Sequence, residues 1–330
     1  MFKNLYSLRE LSREDITSIF ELTKKIKKEP AKYTTALKDK TLIMIFEFQS
    51  LRTRISYETG MTQMGGHAIY LQSFPSPEKT AASSRESTIY SIRLESIKDR
   101  AKVLSRYGEV IAYRALRDER VKQMIQFSDI PVINIYTHNH HPCQGLTDLY
   151  TILEKKGKIE GLKLAFFGDA GEHARHIINE LLMGGAKLGL NVTVSVPEMN
   201  RYMPQERVWK YALEEAKESG AKIVLEHDPM IAAQDADVVY SSYHIMEMDD
   251  VWEIASRCVN WSPYQVNTKL LSYAKPDAIV MHEMPAYRGF EITDAVIDGP
   301  QSVVYDEAEN RLHVQKAILL QLVEAHEENN

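Results

Sequence analysis

Three polar clusters hold the side chains with the most evident chemistry. The first is Ser50-Leu51-Arg52-Thr53-Arg54. Two hydroxyls and two guanidiniums in one short run supply the donors that hold a phosphate. The run joins an apolar stretch to a helical pattern, so free backbone N–H groups and the helix dipole favour the same anion. The same residues also read as an N-cap with surface arginines. The second cluster is His141-Pro142-Cys143-Gln144, in which His and Gln face one pocket from a helix start. Its plainer reading is a structural histidine beside a cysteine. His138, His140, His141 and His173 raise the question of zinc, but their spacing fits no familiar zinc pattern. The third is His282-Glu283-Met284-Pro285-Ala286-Tyr287-Arg288-Gly289, which projects carbonyls and a carboxylate from a strand end. It reads equally as a strand-terminating turn.

The elements that position these clusters follow from periodicity. Residues 10 to 28 predict a helix that Pro30 ends. The continuous apolar run Thr41–Phe46 predicts a strand buried on both faces, as in a parallel sheet. A helix is expected from Thr53 to Gly65-Gly66, then a strand over Ala68–Leu71, which makes a β-α-β unit. Residues 72 to 94 read as a long polar loop. A helix over 97–107 and strands over 110–113 and 132–136 follow. The second half repeats the alternation, with strands at 162–167, 192–196, 223–225, 238–240 and 278–281. Helices are expected at 173–188, 205–219 and 310–325, and a hinge near 145–160. The pattern is α/β, with two doubly wound parallel-sheet domains. All three clusters then lie at carboxyl ends of strands, where open α/β sheets bind ligands.

Composition narrows the function. The chain has 330 residues and a net charge of −6, which gives no electrostatic reason to bind nucleic acid or an anionic membrane. No apolar run approaches the ~18 residues of a membrane span. The N-terminus lacks the apolar core of a signal peptide. Cys143 and Cys258 cannot form a disulfide framework, so a reducing, cytoplasmic setting is the default.

Taken in order, the clusters resemble the aspartate/ornithine carbamoyltransferase family over about residues 5 to 325. The family's carbamoyl-phosphate motif, Ser-Thr-Arg-Thr-Arg, stands here as Ser50-Leu51-Arg52-Thr53-Arg54. Glu95–Asp99, Val103–Tyr107, Tyr113-Arg114 and His141–Gln144 look like the ornithine branch. So do Arg288-Gly289, Thr293-Asp294, Asp298–Pro300 and Glu309–His313. The resemblance implies a carbamoyl-phosphate domain over residues 1–150, joined by a returning C-terminal helix over about 310–330, and an acceptor domain over 151–309. It implies that Ser50, the Leu51 backbone, Arg52 and Thr53 hold the donor's phosphate, and that Arg311 helps close that site. Arg114 and His141 would polarise the carbonyl, while Gln144 and the Met284 carbonyl orient the carbamoyl amide. No metal or cofactor is required, and the family assembles as a homotrimer or a multiple of it. Lys79, Arg85 and Arg93 are candidates to reach a neighbouring subunit's site.

The match weakens at the acceptor. Glu172 stands in the turn Gly168-Asp169-Ala170-Gly171-Glu172-His173, where the ornithine branch has asparagines. Ser242 stands for an Asp, Glu283 for a Cys, and the loop through His244 departs from Ser-Met-Gly. Glu172, Ser242, His244 and Glu283 are therefore the acceptor candidates. The expected acceptor is an amine other than ornithine, with ornithine or aspartate as the alternative. Two readings of another class remain. One is a catalytically silent relative. The other is a nicotinamide-dependent dehydrogenase, suggested by Gly168, Gly171 and the acidic Glu198, although the third glycine of that motif is missing near Ala174.

Overall fold

The computed structural model describes residues 2–72, 95–246 and 249–328. The described chain folds as two compact units, residues 2–7, 18–138 and 315–328 in the first and residues 8–17 and 139–314 in the second. Two of the four boundaries fall inside the first and last helices, and the other two, at 7/8 and 138/139, fall between elements.

In the first unit the doubly apolar run became an inner strand. β1 (Thr41–Phe46) is fully buried from Leu42 to Phe46. The chain passes through α1 (Arg13–Lys28), β1, α2 (Leu51–Gln63), β2 (His67–Gln72), α3 (Ile97–Leu104), β3 (Val110–Arg114), α4 (Asp118–Phe127) and β4 (Val132–Tyr136). Ser12 opens α1 with reciprocal bonds, accepting from Asp15 N at 3.0 Å and donating its own N–H to Asp15 Oδ2 at 3.2 Å. All pairings in the four-stranded sheet are parallel, in the order β2-β1-β3-β4. Leu5 adds a bridge beside β4 through bonds to Val132 and Asn134.

The second unit holds α5 (Pro142–Lys156), β5 (Lys163–Phe167), α6 (Arg175–Lys187), β6 (Asn191–Ser195), α7 (Glu206–Ser219) and β7 (Ile223–Glu226). It continues with α8 (Pro229–Ala233), β8 (Val238–Ser241), α9 (Val251–Trp261), α10 (Thr268–Leu271), β9 (Ile279–Met281), α11 (Asp294–Ile297) and α12 (Val304–Glu328). Its five parallel strands run β7-β6-β5-β8-β9. The end of α12 returns to the first unit, where Gln321 donates to Ser18 Oγ at 2.8 Å and Lys316 to Gln63. Among the described residues, no helix is long and apolar enough to cross a membrane.

The fold class is therefore two parallel-sheet α/β domains, as the sequence implies. Several details differ. α2 begins at Leu51, two residues before the expected Thr53, because the chain turns helical immediately after Ser50. The expected hinge at 145–160 is mostly α5, which Gly157 closes at φ 75. α12 begins at Val304, because the polar run before Asn310 hides a helical start from a periodicity reading. α4 and α9 were not anticipated. The loop at 72–94, with Lys79, Arg85 and Arg93, lies outside the described residues apart from Gln72.

Gly171 marks a close approach. A Cβ there would sit 1.9 Å from the Arg201 carbonyl oxygen, which is backbone and cannot rotate away. Gly171→Ala is expected to destabilise the protein by about 1–3 kcal/mol, read as a lower urea midpoint with an unchanged slope. An unchanged midpoint would mean that the turn has room to spare.

Candidate functional site

Each sheet places a crevice where its strand order reverses. In the first unit the chain leaves β1 for β2 on one side and returns to β3 on the other. The carboxyl ends of β1 and β3 therefore diverge, which is where such sheets bind ligands. Glu47 fixes the loop after β1 against β3. It accepts from Tyr113 OH at 2.7 Å and Leu116 N at 3.2 Å, pairs with Arg120 at 2.5 Å, and donates its own N–H to Arg114 O. Burial, then the Glu47 charge, pushes the Tyr113 hydroxyl up to about 12.

This loop delivers Ser50 to the start of α2. Ser50 does not cap the helix with its side chain; its hydroxyl donates instead to Thr53 Oγ1 at 3.0 Å. The first-turn N–H groups thus keep their pull on an anion. Leu51 turns its side chain outward, 70% exposed, so that this position offers its backbone rather than a hydroxyl. Arg54 is engaged elsewhere, paired with Glu58 at 2.9 Å and lying 3.8 Å over the Tyr70 ring. Arg114 ends β3 with its guanidinium 4.2 Å from the centroids of both Phe48 and Tyr136. The two rings lie edge to face, 5.2 Å apart, and hold the guanidinium by cation–π attraction. Ser50, Leu51, Arg52, Thr53 and Arg114 thus belong to one reversal point.

In the second unit the reversal lies between β5 and β8. Asp169 N donates to Tyr243 O at 2.9 Å and Ser242 N to Phe167 O at 2.8 Å. Asp169 Oδ1 accepts the N–H groups of Gly171 and Glu172, both at 3.0 Å. The donors that a dinucleotide's pyrophosphate would need are filled by the chain's own carboxylate. This argues against the dehydrogenase reading, and Gly171 serves the approach to Arg201 instead.

Arg257, fully buried on α9, is the residue the sequence did not reveal. It binds Asp169 at 2.5 Å, Glu172 at 2.6 Å and Glu253 at 2.5 Å, and donates to His244 O at 3.2 Å. Arg201 adds a longer contact to Glu172 at 3.4 Å. Glu172 is thus already bonded to two guanidiniums, not an acid awaiting a cationic ligand. Asp169, Glu172 and His173 bring ligand atoms within 4.8 Å of one another, a spacing open to a metal. A cation there would have to displace Arg257, and His173 already meets Asp249 at 2.9 Å.

Ser242 and Glu283 come together, the hydroxyl donating to Glu283 Oε1 at 2.5 Å. Burial raises the Glu283 carboxyl, and its Oε2 finds no hydrogen-bond partner among the described residues. His141 caps α5 ahead of Pro142, and its ring stacks on His176 with centroids 6.3 Å apart. One turn on, Gln144 donates to Asp148 and Glu307 and accepts from Arg311 at 2.8 Å. Met284 has a positive φ of 55°, a conformation that costs about 1–2 kcal/mol and often marks functional backbone.

Comparisons with known proteins agree with the fold. The profile for the aspartate/ornithine carbamoyltransferase carbamoyl-P binding domain matches residues 3–154, and that for the Asp/Orn binding domain matches residues 160–322. A relative from Methanosarcina mazei, named ornithine carbamoyltransferase, is 42% identical over 328 residues, 98% of this chain and 100% of its own. One of the same name from Methanococcus aeolicus is 43% identical, covering 96% and 97%. The solved ornithine carbamoyltransferase of Pyrococcus furiosus superposes with a TM-score of 0.85 at 41% identity, over 96% of each chain.

His244 supplies a measurable consequence of this packing. It stacks on Trp261 with centroids 5.3 Å apart and rings 3° from parallel. Burial, then the charges of Arg257, His173 and His282, depress it from 6.5 to about 3. A depressed histidine stabilises the fold fully above pH 6.5, and that contribution is lost as pH falls toward about 3. His244→Phe keeps the stack and removes the titration. Its urea midpoint is expected to fall less than the parent's between pH 6.5 and about 4. Parallel falls would mean that His244 stays solvated.

Proposed function

The chain belongs to the aspartate/ornithine carbamoyltransferase family, and from that premise we propose that it moves the carbamoyl group of carbamoyl phosphate to the side-chain amine of ornithine. It is a carbamoyltransferase, and the choice of acceptor is the finer step. The sequence expectation of a different amine is not supported. Relatives of 41–43% identity over nearly the whole chain carry the ornithine name. Moreover, Glu172, one of the two acids behind that expectation, is bonded to Arg257, and Glu283 is bonded to Ser242.

One observation carries the donor half of the reading: the uncapped start of α2 lies at the same strand reversal as the aromatic-held Arg114. The phosphate is assigned to Ser50, the Leu51 N–H, Arg52 and Thr53, with Arg311 closing on it. The neutral amine attacks the carbonyl carbon, and negative charge grows on the carbonyl oxygen. Arg114, His141 and Thr53 are the donor types that stabilise such an oxyanion. The new N–C bond forms as the C–O bond to phosphate breaks, and the proton lost by the amine leaves with the phosphate. Gln144 and the Met284 carbonyl take the carbamoyl N–H groups. The second unit carries the acceptor, with Ser242 and Glu283 nearest to that role, and the assembly is a trimer or a multiple of it.

Ureido-product formation from carbamoyl phosphate is expected with ornithine, and not with aspartate or putrescine. Arg114→Leu is expected to lower kcat about a hundredfold or more, with a smaller change in the KM for ornithine. Turnover of putrescine with ornithine inert would overturn the acceptor assignment. Full activity of Arg114→Leu would remove Arg114 from the reaction.

A further inference from the structure

We propose that Asp148 and Glu307 are positioning residues that fix which end of the Gln144 amide meets the substrate, and thereby make the enzyme prefer a carbamoyl group to an acyl group of the same shape. The inference deepens the reading above and rests on Gln144 receiving the carbamoyl amide.

Gln144 is 1% exposed, and both ends of its amide are engaged. Its Nε2 donates to Asp148 Oδ1 at 2.7 Å and to Glu307 Oε1 at 3.1 Å. Its Oε1 accepts from Arg311 Nη1 at 2.8 Å. Turning the amide over would set its N–H groups against a guanidinium and its oxygen against two carboxyls. All three contacts would be lost together, so the orientation is over-determined. A carbonyl oxygen has two lone pairs, and Arg311 takes one. The remaining acceptor suits the N–H of a carbamoyl group and has nothing to accept from a methyl.

The two carboxyls are themselves held from two further places. Tyr240 OH on β8 donates to Asp148 Oδ2 at 3.1 Å and lies 3.4 Å from Glu307 Oε1. His282 N, beyond β9, donates to Glu307 Oε2 at 3.0 Å. Burial raises both groups, and both meet the same Gln144 nitrogen and the same Tyr240 hydroxyl, an arrangement that favours one proton shared between them. Glu283, close by, opposes a second charge. Sharing one proton lets two carboxyls stand together out of water and both point an oxygen at Gln144.

The test is a pair of non-reacting phosphonates titrated calorimetrically into the whole enzyme. Phosphonoacetamide carries the amide; acetonylphosphonate carries a methyl in place of its NH₂. The parent enzyme is expected to prefer the amide about tenfold to a hundredfold. Asp148→Asn keeps an oxygen for Gln144 and supplies N–H where the shared proton lies, so most of the preference should survive. Asp148→Leu, and independently Glu307→Met, should bring the ratio near one. Affinity for acetonylphosphonate, which reports the phosphate site and the fold, should change little. General loosening would weaken both ligands alike. If Asp148→Leu and Glu307→Met keep the parent ratio while Gln144→Leu loses it, the positioning role is wrong and the reading of Gln144 stands. If Gln144→Leu keeps the ratio, the reading of Gln144 itself is wrong.

Discussion

A charge withdrawn from water must be met inside the protein, and the candidate site is organised around that constraint. Arg257 has no exposed surface, and three carboxylates gather around it. In doing so it fixes the turn after β5 to α9 and to the backbone of His244. The same constraint explains why Arg114 lies against two aromatic rings. It also explains why Asp148 and Glu307 stand together around one amide. Each arrangement holds a polar side chain in a single orientation, which chemistry on a small anionic donor demands.

The architecture supplies the places where such groups emerge. In both sheets the chain runs outward from a central strand and then returns to that strand's other side, opening a crevice at the carboxyl ends. In the first unit this crevice collects the α2 N-terminus and Arg114. In the second it collects Asp169, Ser242 and the residues beyond β9. The hydrogen bonds of Glu47 in one unit, and of Asp169 and Ser242 in the other, tie the two sides of each reversal together.

What the sequence revealed follows from how local each signal is. Thr41–Phe46 and Leu162–Phe167 read as strands because both faces are buried, which leaves an uninterrupted apolar run. The donor cluster was readable because Ser50, Arg52 and Thr53 are neighbours in the chain and act at one helix end. Arg257 was not, because its partner Asp169 lies 88 positions away and nothing around it distinguishes it from a surface arginine. Without Arg257 in view, Glu172 reads as a free acid that suits a foreign acceptor; the buried guanidinium removes that argument. Asp148 is silent in the sequence for a related reason, since Gln144 bridges it to Glu307, far away in the chain.

The central claim is that the donor's phosphate is held where α2 begins, with Arg114 beside its carbonyl. A crystal structure of the enzyme with phosphonoacetamide tests it most directly. The phosphonate is expected within hydrogen-bonding distance of the Ser50–Thr53 backbone and hydroxyls, with the amide carbonyl facing Arg114. A phosphonate bound instead at the Asp169–Glu172 turn, with the start of α2 empty, would contradict it.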